Sequence, residues 1–134
     1  WHPLFGQGVG MMVFYLAMVA SLFNRVIHER PVTGELIYGL LALYLLLALA
    51  YAMAYQLINS LQPDAFRSLH GPLQINDFVY YSLVTLTTLG YGDIHALAPA
   101  ARPLSVSEAV AGVMFIAIAV ARSLMLINDR DDSA

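Results

Sequence analysis

A short apolar piece, residues 78–88, lies between two apolar runs of about twice its length, and it leads into Thr87-Thr88-Leu89-Gly90-Tyr91-Gly92-Asp93. No other feature limits the fold of this chain as much. In hydrocarbon every backbone N–H and C=O needs an internal partner, so irregular backbone survives at membrane depth only where protein buries it or where it lines a watery path. A half-length helix that enters, unwinds and returns meets that condition; by length the piece is a re-entrant or buried helix.

Bilayer crossing takes about 20 helical residues. Residues 9–27, 36–57 and 107–127 are long and apolar enough for it. Of the 134 residues, 60% are hydrophobic and 11% charged, where soluble domains carry about 25% charged residues. The expected class is therefore an all-α integral membrane protein. The Leu/Ala/Tyr run of the second helix reads as lipid-facing bulk. Cysteine is absent, which removes disulfides and thiolate metal sites. A net charge of −3 without a basic cluster argues against a nucleic-acid partner. His2, His28, His70 and His95 lie near loops or ends without metal-ligand spacing, so no resident metal or cofactor is expected. With no nucleophile–base pair either, an enzyme is the least favoured class. The chain opens at Trp1 and reads as a piece of a longer one; its first run lacks the basic start and cleavage site of a signal peptide.

The connections carry the punctuation. Residues 28–35 offer Thr33 as the cap of the second helix. Residues 59–77, with Pro63, Gly71 and Pro72, read as an exposed loop. Residues 95–105 form another, ending in Ser105-Val106-Ser107-Glu108, an S-x-x-E capping box expected to open the last helix. If the short piece returns to the face it left, Arg25, Arg30, Arg122 and Arg130 share one side and Arg67 and Arg102 the other. The bias places the C-terminus in the cytoplasm of a multi-pass protein of the cell (inner) membrane.

The residues after the short helix have their own logic. Carbonyls of an ordinary strand alternate sides; aiming them at one axis needs left-handed dihedrals at every second residue, which glycine adopts cheaply. Gly90 and Gly92 alternate with Leu89 and Tyr91 as such a backbone requires. The carbonyls of Thr88, Leu89, Gly90 and Tyr91, with the Thr88 hydroxyl, then offer oxygens that can replace the hydration shell of a monovalent cation. The C-terminal end of the short helix favours a cation at the same place.

Thr85 to Asp93 resemble the potassium-channel signature T-x-x-T-x-G-Y-G-D, and the similarity extends over residues 35–127. Asp77 to Ile94, followed by Ala101-Arg102-Pro103-Leu104 and a glycine-bearing helix, is especially similar to bacterial two-helix-pore ion channels. The resemblance implies a pore domain over residues 31–128: outer helix 33–60, turret 61–76, pore helix 77–88, selectivity filter 88–92 and inner helix 105–127. Residues 1–30 would be an accessory transmembrane helix, and 129–134 an acidic cytoplasmic tail. It implies potassium ions held at Thr88, Leu89, Gly90 and Tyr91, with Gly92 completing the filter and Asp93 just outside it. Tyr80 and Tyr81 match aromatic positions that brace the filter, and Gly112 matches an inner-helix hinge. One chain supplies one strand of oxygens where the cage needs four, so the expected unit is a C4 homotetramer in the lipid bilayer. Regulatory regions would lie outside these residues.

Each of these residues also has a plainer reading. Gly112 with Ala109, Ala117 and Ala121 suits close helix packing; Tyr80 and Tyr81 suit interface aromatics; Glu108 suits the capping box as well as filter support or a pairing with Arg102; Asp93 could be a surface charge. Leu89 stands where Val or Ile is usual, and Val84 where some relatives carry glutamate. Arginines repeated along a helix face, as a voltage sensor needs, are missing. A non-selective cation channel, a potassium transporter subunit and a non-conducting scaffold are the alternatives.

Overall fold

The computed structural model describes residues 3–28, 33–69 and 71–131, with side chains for 9–25, 35–69 and 71–124. The cap expected of Thr33, and the side chains of His2, His28, Arg30, His70 and Arg130, lie outside the described residues. In chain order the elements are α1 (Pro3–His28), α2 (Thr33–Leu61), β1 (Phe66–Ser68), α3 (Ile75–Leu86), β2 (Ile94–Ala96) and α4 (Ala101–Asp131). Within α2 and α4, Glu35–Leu61 and Ala101–Leu124 are long and apolar enough to cross a membrane. The run expected to form a third span is helical in α1, but its apolar stretch among the described residues, Val9–Arg25, is shorter. α1 packs on α2, and α3 packs against both α2 and α4, which also touch each other.

The short helix α3 has 12 residues, which at 1.5 Å per residue is about 18 Å, well under the roughly 30 Å hydrocarbon core. Its start is set locally. The Asp77 carboxylate accepts the Gln74 backbone N–H at 2.7 Å, capping the first turn and placing negative charge at the positive end of the helix.

Aromatic edges hold α3 against α2. Tyr55 meets Phe66 at 5.4 Å and Tyr81 at 5.1 Å between ring centroids, and Phe66 meets Phe78 at 5.4 Å and Tyr81 at 5.5 Å, all edge to face. Such pairs contribute about 0.5–1.5 kcal/mol each beyond area burial. Because these rings come from α2, β1 and α3, the cluster fixes where the short helix points.

Three details go beyond the expected helical architecture. First, the mostly helical fold also carries a short strand pair: β1 and β2 run antiparallel, with Phe66 opposite Ala96 and Ser68 opposite Ile94. Strands of three residues carry no readable alternation, and each turns one buried residue, Phe66 and Ile94, into the aromatic cluster. Second, α4 begins at Ala101, a turn before the predicted start. Pro103 looks like a loop residue, but in a first helical turn its missing N–H costs nothing. Third, α2 is not merely lipid-facing: Leu36, Leu43, Ala48, Ala52 and Tyr55 are buried against protein.

Candidate functional site

The last four carbonyls of a helix have no intrahelical partner, and α3 ends by satisfying all of its own. The Leu83 carbonyl accepts the Thr87 N–H at 3.0 Å and the Thr87 hydroxyl at 2.7 Å. The Val84 carbonyl accepts the N–H groups of Leu89 at 2.9 Å and Gly90 at 3.3 Å, and that of Thr85 accepts the Thr88 N–H at 2.9 Å. The Leu86 carbonyl accepts the Tyr44 hydroxyl of α2 at 3.2 Å. The bonds from Leu89 to Val84 and from Thr88 to Thr85 form a Schellman motif, whose C′ position takes left-handed backbone and is usually glycine. Here it is Thr88, at φ +59°. For a β-branched residue that conformation is strained, by about 1–2 kcal/mol.

From Thr88 the chain runs as a ribbon with positive φ at every second residue: +59° at Thr88, +58° at Gly90 and +80° at Gly92. A Cβ on either glycine would meet nothing within 4 Å. Backbone conformation, not space, is therefore what calls for glycine at Gly90 and Gly92. Within one chain Leu89 is 55% exposed and Tyr91 68%. At the start of the ribbon, Thr88 and Ala109, Val110, Val113 and Met114 of α4 line an apolar hollow of about 310 Å³.

The two adjacent tyrosines of α3 part company. Tyr80 stacks on Tyr91, ring centroids 6.5 Å apart and planes within 3°, and its hydroxyl lies within electrostatic reach of the Asp93 carboxylate. Tyr81 turns instead into the aromatic cluster and bonds the Ser105 hydroxyl at 2.9 Å. Beyond Asp93 the ladder between β1 and β2 takes over, since Leu69 N–H donates to the Asp93 carbonyl at 3.1 Å. The ribbon is thus held at its Thr88 end by α3 and at its Asp93 end by the loop between α2 and α3.

Glu108 and Gly112 of α4 both face this assembly. The capping box does not form: Ser105 is the fifth helical residue and donates back to the Ala101 carbonyl at 3.0 Å. Glu108 is instead fully buried. It accepts the Tyr55 hydroxyl at 2.5 Å and contacts the Ser82 hydroxyl of α3. Gly112 lies against the Leu86 backbone, where a Cβ would come within 1.9 Å of the carbonyl oxygen; α4 is helical through this point. Tyr44, Tyr55 and Ser82 escape the sequence reading. A signal exists: Tyr44, Tyr51 and Tyr55 recur at spacings that share one helix face, marking a side of α2 that faces polar partners. Among the described residues no group of three or more His, Cys, Asp or Glu side chains could hold a metal ion.

A family model described as "Ion channel" matches residues 39–128, a stretch running from α2 through the ribbon to α4. The chain is also 34% identical over 85 residues to the "Two pore potassium channel c" of Oryza sativa subsp. japonica. That alignment covers 63% of this chain and 19% of the rice protein, so the chain spans about a fifth of that relative's length.

Proposed function

The chain belongs to this ion channel family, and from that premise we propose that it forms a potassium-selective pore, conducting passively through Thr88–Gly92. The observation that carries the proposal is the alternation of positive φ at Thr88, Gly90 and Gly92 at the end of a helix too short to cross the membrane. Four copies around a central axis would bring their ribbons together. The carbonyls of Thr88, Leu89, Gly90 and Tyr91 then replace the water around a dehydrated potassium ion. The apolar α4 face with Val106, Val110, Val113 and Val120, exposed in one chain, would be covered by neighbouring copies and lipid.

In this reading Tyr80 braces Tyr91, Asp93 holds Tyr80 and raises cation concentration at the outer mouth, and Glu108 supports α3 from behind. Gly112 lets α4 approach α3, and a bend there would open the inner end. The C-terminus is cytoplasmic. The rice relative's name supports potassium as the ion.

One observation favours a second reading, a monovalent cation channel without selectivity. Leu89 stands in the ribbon with its side chain 55% exposed in the single chain, and its packing behind four assembled ribbons decides how rigidly the oxygens are held. Ion competition separates the two. In reconstituted vesicles, potassium efflux that sodium neither carries nor blocks supports the potassium pore; equal sodium and potassium permeability supports the second reading. Chemical cross-linking should give a ladder ending at four copies, and a ladder ending at one would refute both.

A further inference from the structure

Ser82 and Glu108 are the buried polar side chains among the described residues, each with no exposed surface. Their hydrogen bonds can be counted proton by proton. The Ser82 hydroxyl carries one proton but lies in bonding range of two acceptors: the Ala48 carbonyl of α2 at 2.7 Å and Glu108 Oε1 of α4. A carbonyl can only accept. If Ser82 donates to Ala48, the contact between Ser82 and Glu108 needs a proton from Glu108.

The surrounding hydroxyls close the count. Ser105 donates to the Ala101 carbonyl, so Tyr81 donates to Ser105, and Tyr55 donates to Glu108 Oε2. The protons of Ser82, Ser105, Tyr81 and Tyr55 are then each used once in these bonds. No basic side chain among the described residues acts on Glu108; the groups bonded to it are Ser82 and Tyr55. The titratable groups facing it are Tyr44 and Tyr55 from α2, with Tyr81 of α3 beside Tyr55. All are phenols, and none can carry a positive charge. A carboxylate enclosed there would be an unpaired charge removed from water, the costliest arrangement for such a group.

We propose that Glu108 is a positioning residue that works as an un-ionised carboxylic acid, its proton bonding Ser82 and so pinning α4 to the back of α3. The contact joins three helices at one point: α2 through Tyr55 and Ala48, α3 through Ser82, and α4 through Glu108. It lies on the pore helix one turn and a half before the Schellman end from which the ribbon departs. The inference deepens the channel reading, and it rests on that reading only for what the contact serves, not for its chemistry.

The test compares the full chain in lipid vesicles at neutral pH with Glu108→Gln and Glu108→Ala. Infrared difference spectra between wild type and Glu108→Gln should show a protonated carboxyl C=O stretch in wild type that the amide lacks. Potassium flux through Glu108→Gln should stay within about twofold of wild type, because an amide donates to Ser82 and accepts from Tyr55 as the neutral acid does. Glu108→Ala, which strands both hydroxyls, should fall by roughly tenfold or more. A wild-type spectrum without the protonated carboxyl band overturns the proposal, whether or not a variant folds. So does loss of flux in Glu108→Gln equal to that in Glu108→Ala. Wild-type protein that shows the band but passes no potassium would instead refute the channel reading and leave the protonated carboxyl standing.

Discussion

Gly112 sits against Leu86 so closely that a methyl group in place of its hydrogen would lie 1.9 Å from the Leu86 carbonyl oxygen and 2.9 Å from its carbonyl carbon. Both atoms belong to the backbone of the short helix, so neither can swing aside as a side-chain tip would. The same carbonyl accepts the Tyr44 hydroxyl. Three helices therefore converge on one peptide group at the end of α3. Gly112→Ala should push α4 away from α3 and destabilise the folded protein by about 1–3 kcal/mol, the usual cost of overpacking, read as a lower melting temperature in detergent. If Gly112 serves only as a bending point in α4, the melting temperature stays put and only gating changes.

Thr88 gives a prediction of opposite sign. At φ +59° it holds a conformation that glycine adopts without penalty. Thr88→Gly should therefore stabilise the protein against heat or denaturant by about 1 kcal/mol. If the proposed pore conducts through these residues, conduction should fall at the same time, because the Thr88 hydroxyl proposed to face the ion is lost. A variant both less stable and fully conducting would show that the strain at Thr88 has no part in the site.

The outer clamp can be tested through one backbone proton. Leu69 is 73% exposed, so Leu69→Ala removes little packing and keeps the N–H that bonds the Asp93 carbonyl. Leu69→Pro deletes that N–H. The alanine variant should behave as wild type, whereas the proline variant should lose sustained flux, since the residue after the ribbon loses its tether. Equal flux in both variants would show that the ladder beside the ribbon does not hold it.

What the sequence reveals and what it hides divide along sequence separation. The half-length helix is legible from its apolar length, and the positive φ of Gly90 and Gly92 from their alternation, because both are local properties. The strained Thr88 is hidden. Its conformation follows from the Schellman ending, which threonine does not advertise. Tyr44 and Leu86 are 42 residues apart and Tyr55 and Glu108 are 53 apart, so their bonds depend on how the helices pack. Glu108 shows the ambiguity well. Its spacing from Ser105 satisfies a capping rule, but the helix starts a turn earlier and the carboxyl group is spent on tertiary contacts instead. Gly112 likewise reads equally as hinge or packing residue in the sequence, where its close approach to the Leu86 backbone is invisible.

Ion positions would decide the central claim. A structure of the protein assembled in lipid with thallium(I) in place of potassium should show ordered ions on a fourfold axis, ringed by the carbonyl oxygens of Thr88, Leu89, Gly90 and Tyr91 from four copies. Ribbons turned toward lipid, or an axis empty of ions with those oxygens facing elsewhere, would contradict it.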